Sequence, residues 1–311
     1  MILTVTLNAA LDVTYRVDAL IPHATHRVAE VSERAGGKGL NVARVLHGLG
    51  EPVRATGLLG GDTGARVRRL LGEAGLDEAF VPIGDETRRT VAVVDGDATG
   101  FWEPGPVVTP DEWDAFRVRY AGLVGDATVV VLSGSLPRGL PADAYATLIA
   151  AARRAGVRTV LDTSGAPLSA ALPARPDVVK PNLHELEELV GAPAGRGLVH
   201  LAGQARALGA GAVVASAGAD GLVGVTGDGA WQVRPPERVA GNPTGAGDAS
   251  VAALARGLRD DSPWPELLTD AVALSAAAVA APVAGTVDPA TAERFRTSVT
   301  VTEITEELPA C

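Results

Sequence analysis

A chain of 311 residues, 47% hydrophobic and only 4% aromatic, is long enough to bury a full α/β core without covalent staples. Its net charge of −10, with no basic face, excludes nucleic acid as a partner and repels anions at long range, so a phosphate site here needs a few local Lys or Arg residues and metal help. The one cysteine, Cys311, excludes a disulfide framework and a cysteine-based metal site and points to a reducing cytoplasm.

Met1 to Leu7 lacks a basic leader region and a cleavage site, and is expected to be a first strand, Ile2–Leu7. It ends on Asn8-Ala9-Ala10-Leu11-Asp12, a polar exit where Asp12 either faces a ligand or is a solvated loop acid. From Arg27 to Glu33 polar and apolar residues alternate, which predicts a strand exposed on one face, better suited to a flap than to a buried parallel core. In Ala35-Gly36-Gly37-Lys38-Gly39-Leu40-Asn41-Val42 the glycines allow close backbone approach, and Leu40, Ala43, Leu46 and Leu49 mark a helical stripe ended by Gly50. Lys38 and Asn41 then stand at the mouth of a helix. The spacing is not that of a Walker loop, and a purely structural role for the glycines stays open.

Val53–Leu59 reads as a strand, and Gly64–Ala74 as a helix whose Arg66, Arg68 and Arg69 form a solvated face. Phe80–Ile83 and Thr87–Val94 are short strands, with Phe101-Trp102-Glu103 returning from the second. Of Arg88 and Arg89, neighbours on a strand, at most one points into a site beside Lys38.

A regular rhythm follows. Helices are expected at Asp111–Leu123, Ala142–Ala155, Leu183–Val190 and Leu198–Leu208, and apolar strands at Val129–Leu132, Thr159–Leu161, Val178-Val179 and Ala212–Ala215. Continuous apolar strands alternating with helices predict a parallel sheet covered on both faces. Ligands collect outside the carboxyl ends of such strands, where this chain places Ser133-Gly134-Ser135, Asp162-Thr163-Ser164, Lys180-Pro181-Asn182 and Ser216-Ala217-Gly218. The most apolar stretch, Val272–Ala284, contains Pro282 and is too short to span a bilayer, so no membrane partner is expected.

Asn182 and Glu185 lie on one face of a helix start; they are either a capping box or a pair of hard oxygen ligands for Mg²⁺ or its waters. Gly245-Ala246-Gly247 reads as the turn into a helix, a place that holds an anion, and Asp248 in its first turn is either a plain helix-starting acid or a catalytic carboxylate. Together with cations at Lys38 and Arg88, the set offers what phosphoryl transfer needs: a metal near the polyphosphate, donors to the migrating group and a base for the attacking hydroxyl.

Four segments carry a resemblance that covers nearly the whole chain: Ala35 to Val42, Ser133-Gly134-Ser135-Leu136-Pro137, Lys180-Pro181-Asn182 through Glu185, and Asn242-Pro243-Thr244-Gly245-Ala246-Gly247-Asp248. In them the chain resembles the ribokinase superfamily, in its phosphofructokinase B branch. Met1 to Asn8, Asp162 to Leu168 and the Asn-Pro before the glycines look most similar to tagatose-6-phosphate kinases, with 1-phosphofructokinases close behind.

The resemblance implies a single ribokinase-like α/β domain over 1–311: a mostly parallel central sheet with helices on both faces, and a small β-sheet lid from strands at about 9–35 and 87–104. It implies ATP, Mg²⁺ and a ketohexose monophosphate as reactants, a bisphosphate product, and a homodimer formed through the lid. By this resemblance Asp248 is the base, and Gly245, Ala246 and Gly247 are the anion hole. Asp12 and Asn41 bind sugar hydroxyls, with Gly37 and Ser133 also on the substrate, and Lys38 and Arg88 hold its existing phosphate. Lys180 lies near the nucleotide phosphates, Asn182 and Glu185 hold the metal through water, and Ser216, Gly218 and Gly221 border the nucleotide. Arg138 is a further candidate for a phosphate.

The chain departs from the pattern at Asn8-Ala9-Ala10, where a Pro is usual, and at Arg89-Thr90 and Trp102, where 1-phosphofructokinases tend to carry Ile-Asn and Asn. These departures bear on which sugar phosphate is taken, and not on the transfer chemistry. A dinucleotide-dependent dehydrogenase would need Gly-x-Gly-x-x-Gly after the first strand, and Asn8 to Asp12 holds no glycine. A non-catalytic sugar-phosphate sensor would require a lost base, yet Asp248 is present.

Overall fold

A computed structural model describes residues 1–191, 197–281 and 285–305; Cys311 and Pro282 lie outside the described residues. The first part of the chain runs β1 (Ile2–Thr6), β2 (Ala10–Arg16), β3 (Glu30–Gly36), α1 (Lys38–Gly48), β4 (Val53–Gly60), α2 (Gly61–Glu73), β5 (Asp77–Glu78), β6 (Val81–Ile83), β7 (Arg88–Val94) and β8 (Ala98–Trp102). The middle continues through α3 (Pro110–Val124), β9 (Val129–Ser133), α4 (Ala144–Arg154), β10 (Arg158–Asp162), α5 (Gly165–Ala171), β11 (Val178–Val179), α6 (Leu183–Val190), α7 (Leu198–Ala207) and β12 (Ala212–Ser216). It closes with β13 (Leu222–Val225), β14 (Ala230–Arg234), α8 (Ala246–Arg259), α9 (Trp264–Ala280), α10 (Pro289–Arg296) and β15 (Thr300–Glu303).

The main sheet has 11 strands and orders most of them β15-β14-β13-β12-β11-β10-β9-β1-β4-β5, with β6 added on β4. From β12 through β5 the neighbours are parallel, and β13, β14 and β15 continue the sheet antiparallel. Its interior strands are apolar on both faces because both are covered. Ile2, Val129, Val131, Val160 and Val178 pack with α1, α8 and α9 on one side, while Leu3, Val5, Val130, Leu132, Leu161 and Val179 pack with α3, α4, α6 and α7 on the other. The fold is thus the α/β architecture expected, a mostly parallel sheet between two helical layers, with a small sheet beside it.

That second sheet has four strands in the order β3-β2-β7-β8. One face carries Leu11, Val13 and Ala35, all buried, towards the helical layer that includes α2. The other carries the row Arg34, Asp12, Thr90 and Trp102, set side by side by the pairing of all four strands. Two boundaries differ from expectation. Asp12 lies inside β2 and not in an exit loop, and β3 begins at Glu30 and runs to Gly36, because its ladder with β2 continues until Gly36 faces Ala10.

Sequential connection runs from β1 to β4 on one side and from β9 through β12 on the other, so the strand order reverses beside β1. A crevice opens at such a point, outside the carboxyl ends of the strands. Asn8, Ser133, Asp162, Lys180 and Ser216 all follow or end strands of this parallel set.

Candidate active site

Gly245 caps α8 at φ 87°, a left-handed conformation that suits glycine, and among the described residues no side chain caps the helix. Its first turn therefore keeps partial positive charge for an anion, although the Ala246 N–H is already directed to the Pro243 carbonyl at 3.2 Å. Asp248 stands in that first turn, 6% exposed, and its Oδ2 accepts from Asn41 Nδ2 at 2.8 Å. Burial raises the Asp248 carboxyl to about 6, and the nearby Asp162 carboxylate adds to the rise. The Asn41 amide and the Lys38 and Lys180 ammoniums pull it down.

Asp162, at the end of β10, is 2% exposed. Its Oδ1 meets Lys38 Nζ at 3.2 Å and Lys180 Nζ at 3.8 Å, and its Oδ2 accepts from Ser133 Oγ at 3.3 Å. Burial pushes this carboxyl up, but Lys180, Lys38 and the hydrogen bonds from Lys38 and Ser133 outweigh it and hold it below the usual range. Burial likewise acts against the Lys38 ammonium, which Asp162, Asp248 and Glu185 nevertheless hold above its ordinary pKa. Lys180 reaches the turn before α8: a Cβ on Gly247 would sit 3.3 Å from its Nζ. Lys38, Asp162, Lys180, Asn41 and Asp248 thus form one electrostatic cluster at the carboxyl ends of the strands.

On the second sheet Asp12 accepts from the Thr90 hydroxyl, and a Cβ on Gly36 would overlap its carboxylate. Burial raises its pKa against the opposing pull of the Thr90 bond and of Arg44, Arg88 and Arg34. Arg44 joins this group to the cluster above: it donates to Asn41 Oδ1 at 2.9 Å and to the Ala35 carbonyl. Gly37 is the N-cap of α1, which starts Lys38 and Asn41. Arg88 points inward and donates to the Asn8 carbonyl from Nε and Nη2 at 3.3 Å, while Arg89 is exposed and paired with Glu103.

Asn182 and Glu185 form a reciprocal capping box: Glu185 N donates to Asn182 Oδ1 at 2.9 Å, and Asn182 N donates to Glu185 Oε2 at 2.8 Å. Both are hard oxygen donors beside the Lys38 cluster, and among the described residues no three His, Cys, Asp or Glu gather into a cage. That donor set fits Mg²⁺, which keeps its waters and takes few protein ligands. Ser216 bridges to Asn182 across β11 and β12. Gly218 opens a short 3₁₀ turn that Gly221 closes.

Ser133 is fully buried and its hydroxyl donates to Asp162. Arg138 donates to the Gly105 carbonyl at 2.9 Å. Arg44 and Thr90 were not picked out; Arg44 falls three residues after Asn41, on the same helix face, and that spacing was a signal available in the sequence.

The profile described as pfkB family carbohydrate kinase matches residues 3–291. The chain belongs to the PfkB family of carbohydrate kinases. Phosphofructokinase-2 of Escherichia coli, in a structure with potassium, is 31% identical with a TM-score of 0.91, covering 95% of this chain and 98% of that one. The same enzyme with fructose-6-phosphate is 30% identical with a TM-score of 0.87, over 95% and 98% of the two chains. A possible 1-phosphofructokinase of Thermotoga maritima is 26% identical with a TM-score of 0.88, over 98% and 99%. Membership of this kinase family implies ATP as the co-substrate.

Proposed function

We propose that this PfkB kinase transfers the γ-phosphoryl group of ATP to a hydroxyl of a ketohexose monophosphate of the tagatose 6-phosphate or fructose 1-phosphate type, giving a bisphosphate. The observation that carries the reading is Asp248: a buried carboxylate raised to about 6, fixed through Oδ2 by Asn41, beside two lysines and an uncapped helix turn.

In this reading Asp248, ionised near neutral pH, takes the proton of the attacking hydroxyl. Asn41 orients it, and Asp12, held by Thr90, fixes the neighbouring hydroxyls of the sugar. Lys180 and the N–H groups of Gly245 and Gly247 meet the charge on the migrating group, where donors set in advance cost no reorganisation. Arg88 and Lys38 hold the acceptor's existing phosphate, and Ser216, Gly218 and Gly221 border the nucleotide. Asn182 and Glu185 would hold Mg²⁺, which would supply neutralising charge for the polyphosphate.

The second sheet acts as a lid, and we assign to it the contact with a second copy of the chain. Trp102, on the side that carries Asp12, is 77% exposed, an unusual position for so large an apolar surface. Sedimentation of Trp102→Ser as a monomer beside a dimeric parent supports that assignment, and an unchanged dimer removes it.

The experiment for the activity is a panel of tagatose 6-phosphate, fructose 1-phosphate, fructose 6-phosphate and the unphosphorylated sugars with ATP and Mg²⁺, following ADP. Turnover confined to phosphorylated ketohexoses is the expected result. Binding without ADP release, or preference for unphosphorylated sugars, overturns it.

A further inference from the structure

Two lysines given separate tasks, one on each side of the cleft, lean on the same oxygen atom. Lys38 Nζ and Lys180 Nζ lie 3.2 and 3.8 Å from Oδ1 of Asp162, and the only other side-chain hydrogen bond to that carboxylate among the described residues comes from Ser133. Lys38 stands at the head of α1 with 44% of its side chain exposed, and Lys180 follows β11 with only 8% exposed. Two ammonium groups this close repel one another unless an anion lies between them, and a carboxylate this deeply buried persists only with paired cations. The three groups therefore stand or fall together.

We propose that Asp162 is a positioning residue that locks Lys38 and Lys180 into one arrangement, so that the acceptor side and the nucleotide side of the cleft share a single counter-ion. The inference rests on the kinase reading above and adds to it a residue that need not touch either substrate. Its consequence is asymmetric. The carboxylate competes with ligand phosphates for both ammonium groups, so it does little for ground-state affinity. What it supplies is direction: it holds Lys180 over the turn at Gly247, where charge on the migrating group has to be met.

Asp162→Asn keeps the shape and removes the charge. Expected are a fall in kcat of about 100-fold and KM values for ATP and for the phosphosugar that stay level or drop. A second readout is the acidic limb of the kcat/KM profile. Asp248 is faced by Lys38 from α1, by Lys180 after β11 and by Asp162 from β10, with Asn41 as its hydrogen-bond donor. Arg44 of α1 also acts on Asp248, so loss of the Asp162 charge leaves three cations, Lys38, Lys180 and Arg44, and moves that limb to lower pH.

A loosened fold alone would instead raise both KM values and leave the limb in place, and that pattern overturns the proposal, as does an unchanged kcat. The cycle with Lys38→Met gives an independent readout. If Asp162 acts by holding Lys38, adding Asp162→Asn to Lys38→Met costs far less than adding it to the parent, and strict additivity sinks the idea. A parent protein inactive on every phosphosugar fails the kinase reading; an active parent with an indifferent Asp162→Asn variant fails this inference alone.

Discussion

The Asn41 carboxamide donates to Oδ2 of Asp248 at 2.8 Å, tying α1 to α8 across 207 positions of sequence. One contact thus fixes the Asp248 carboxylate against the loop that carries Gly37 and Lys38. Its strength comes from burial, since a carboxylate in low dielectric binds its remaining donor tightly.

Asp248→Asn is expected to lower kcat by about 100-fold to 10,000-fold while leaving ATP affinity in place, because general-base assistance is lost and the hydrogen bond to Asn41 is kept. In the parent, kcat/KM should climb through pH 6, as the base must lose its proton. The stability consequence has the opposite sign. A folded pKa of about 6 against an ordinary 3.8 means that the native state binds more protons between those values, so stability falls as pH rises through that window. The Asn variant escapes that cost and should melt higher at pH 8, by up to ~3 kcal/mol, with the gap closing near pH 4. Thermal melts at both pH values check the sign.

Arg88 and Arg89 separate an inward contact from a solvated one. Arg88→Ala should raise KM for a phosphorylated acceptor by about 10-fold to 100-fold, as expected for a charge-assisted hydrogen bond worth ~1.5 to 3 kcal/mol. Arg89→Ala, which removes only an exposed pair with Glu103, should change KM less than about twofold. Equal losses for phosphorylated and unphosphorylated sugars would argue against a phosphate at Arg88.

Glu185 has two jobs that one substitution can part. Gln at the third helical position still completes a capping box, so Glu185→Gln should leave the melting temperature nearly unchanged. The lost carboxylate charge should nonetheless raise the Mg²⁺ concentration needed for half-maximal rate by about 10-fold. Asn182→Ala, by contrast, should also lose ~1 kcal/mol of stability with its cap. A Gln variant with unaltered Mg²⁺ dependence would leave Glu185 as a cap and nothing more.

Gly36→Ala forces the Asp12 carboxylate from its place beside Thr90. Acceptor affinity should drop at least tenfold while ATP binding is unaffected, and calorimetric titration of each ligand separately reads this directly. Parallel losses for both ligands would show that the strand, and not the carboxylate, had been disturbed.

The parallel half of the fold was legible because its strands are runs such as Val129-Val130-Val131-Leu132, buried on both faces and set between long helical stripes. The antiparallel extension was not read: β13 and β14 are short, and β15 was passed over although Val299 and Val301 alternate with Thr300 and Thr302. Asp12 was placed in an exit loop although Leu11-Asp12-Val13-Thr14-Tyr15-Arg16 alternates apolar and polar residues, a strand signal that the sequence did carry. The motif glycines and Asp248 carried their own signal. The strand-end pattern put Asp162 and Lys180 at one edge of the sheet, but nothing local recorded the contact of Asp162 with Lys38, 124 positions away.

The seam of the lid has a kinetic side. β2 and β7 lie parallel from Ala10 beside Arg88 to Arg16 beside Val94, and a parallel pair cannot be closed by a tight turn. Each hairpin of the lid, β2 with β3 and β7 with β8, can zip locally, but their union waits until β1 and β4 have lined up in the main sheet and brought their exits together. The seam is therefore expected to close late in folding. In a pulse-labelled refolding experiment its amides should gain protection after those of β1, β9 and β10, and a cleft competent for sugar should appear only with that last phase.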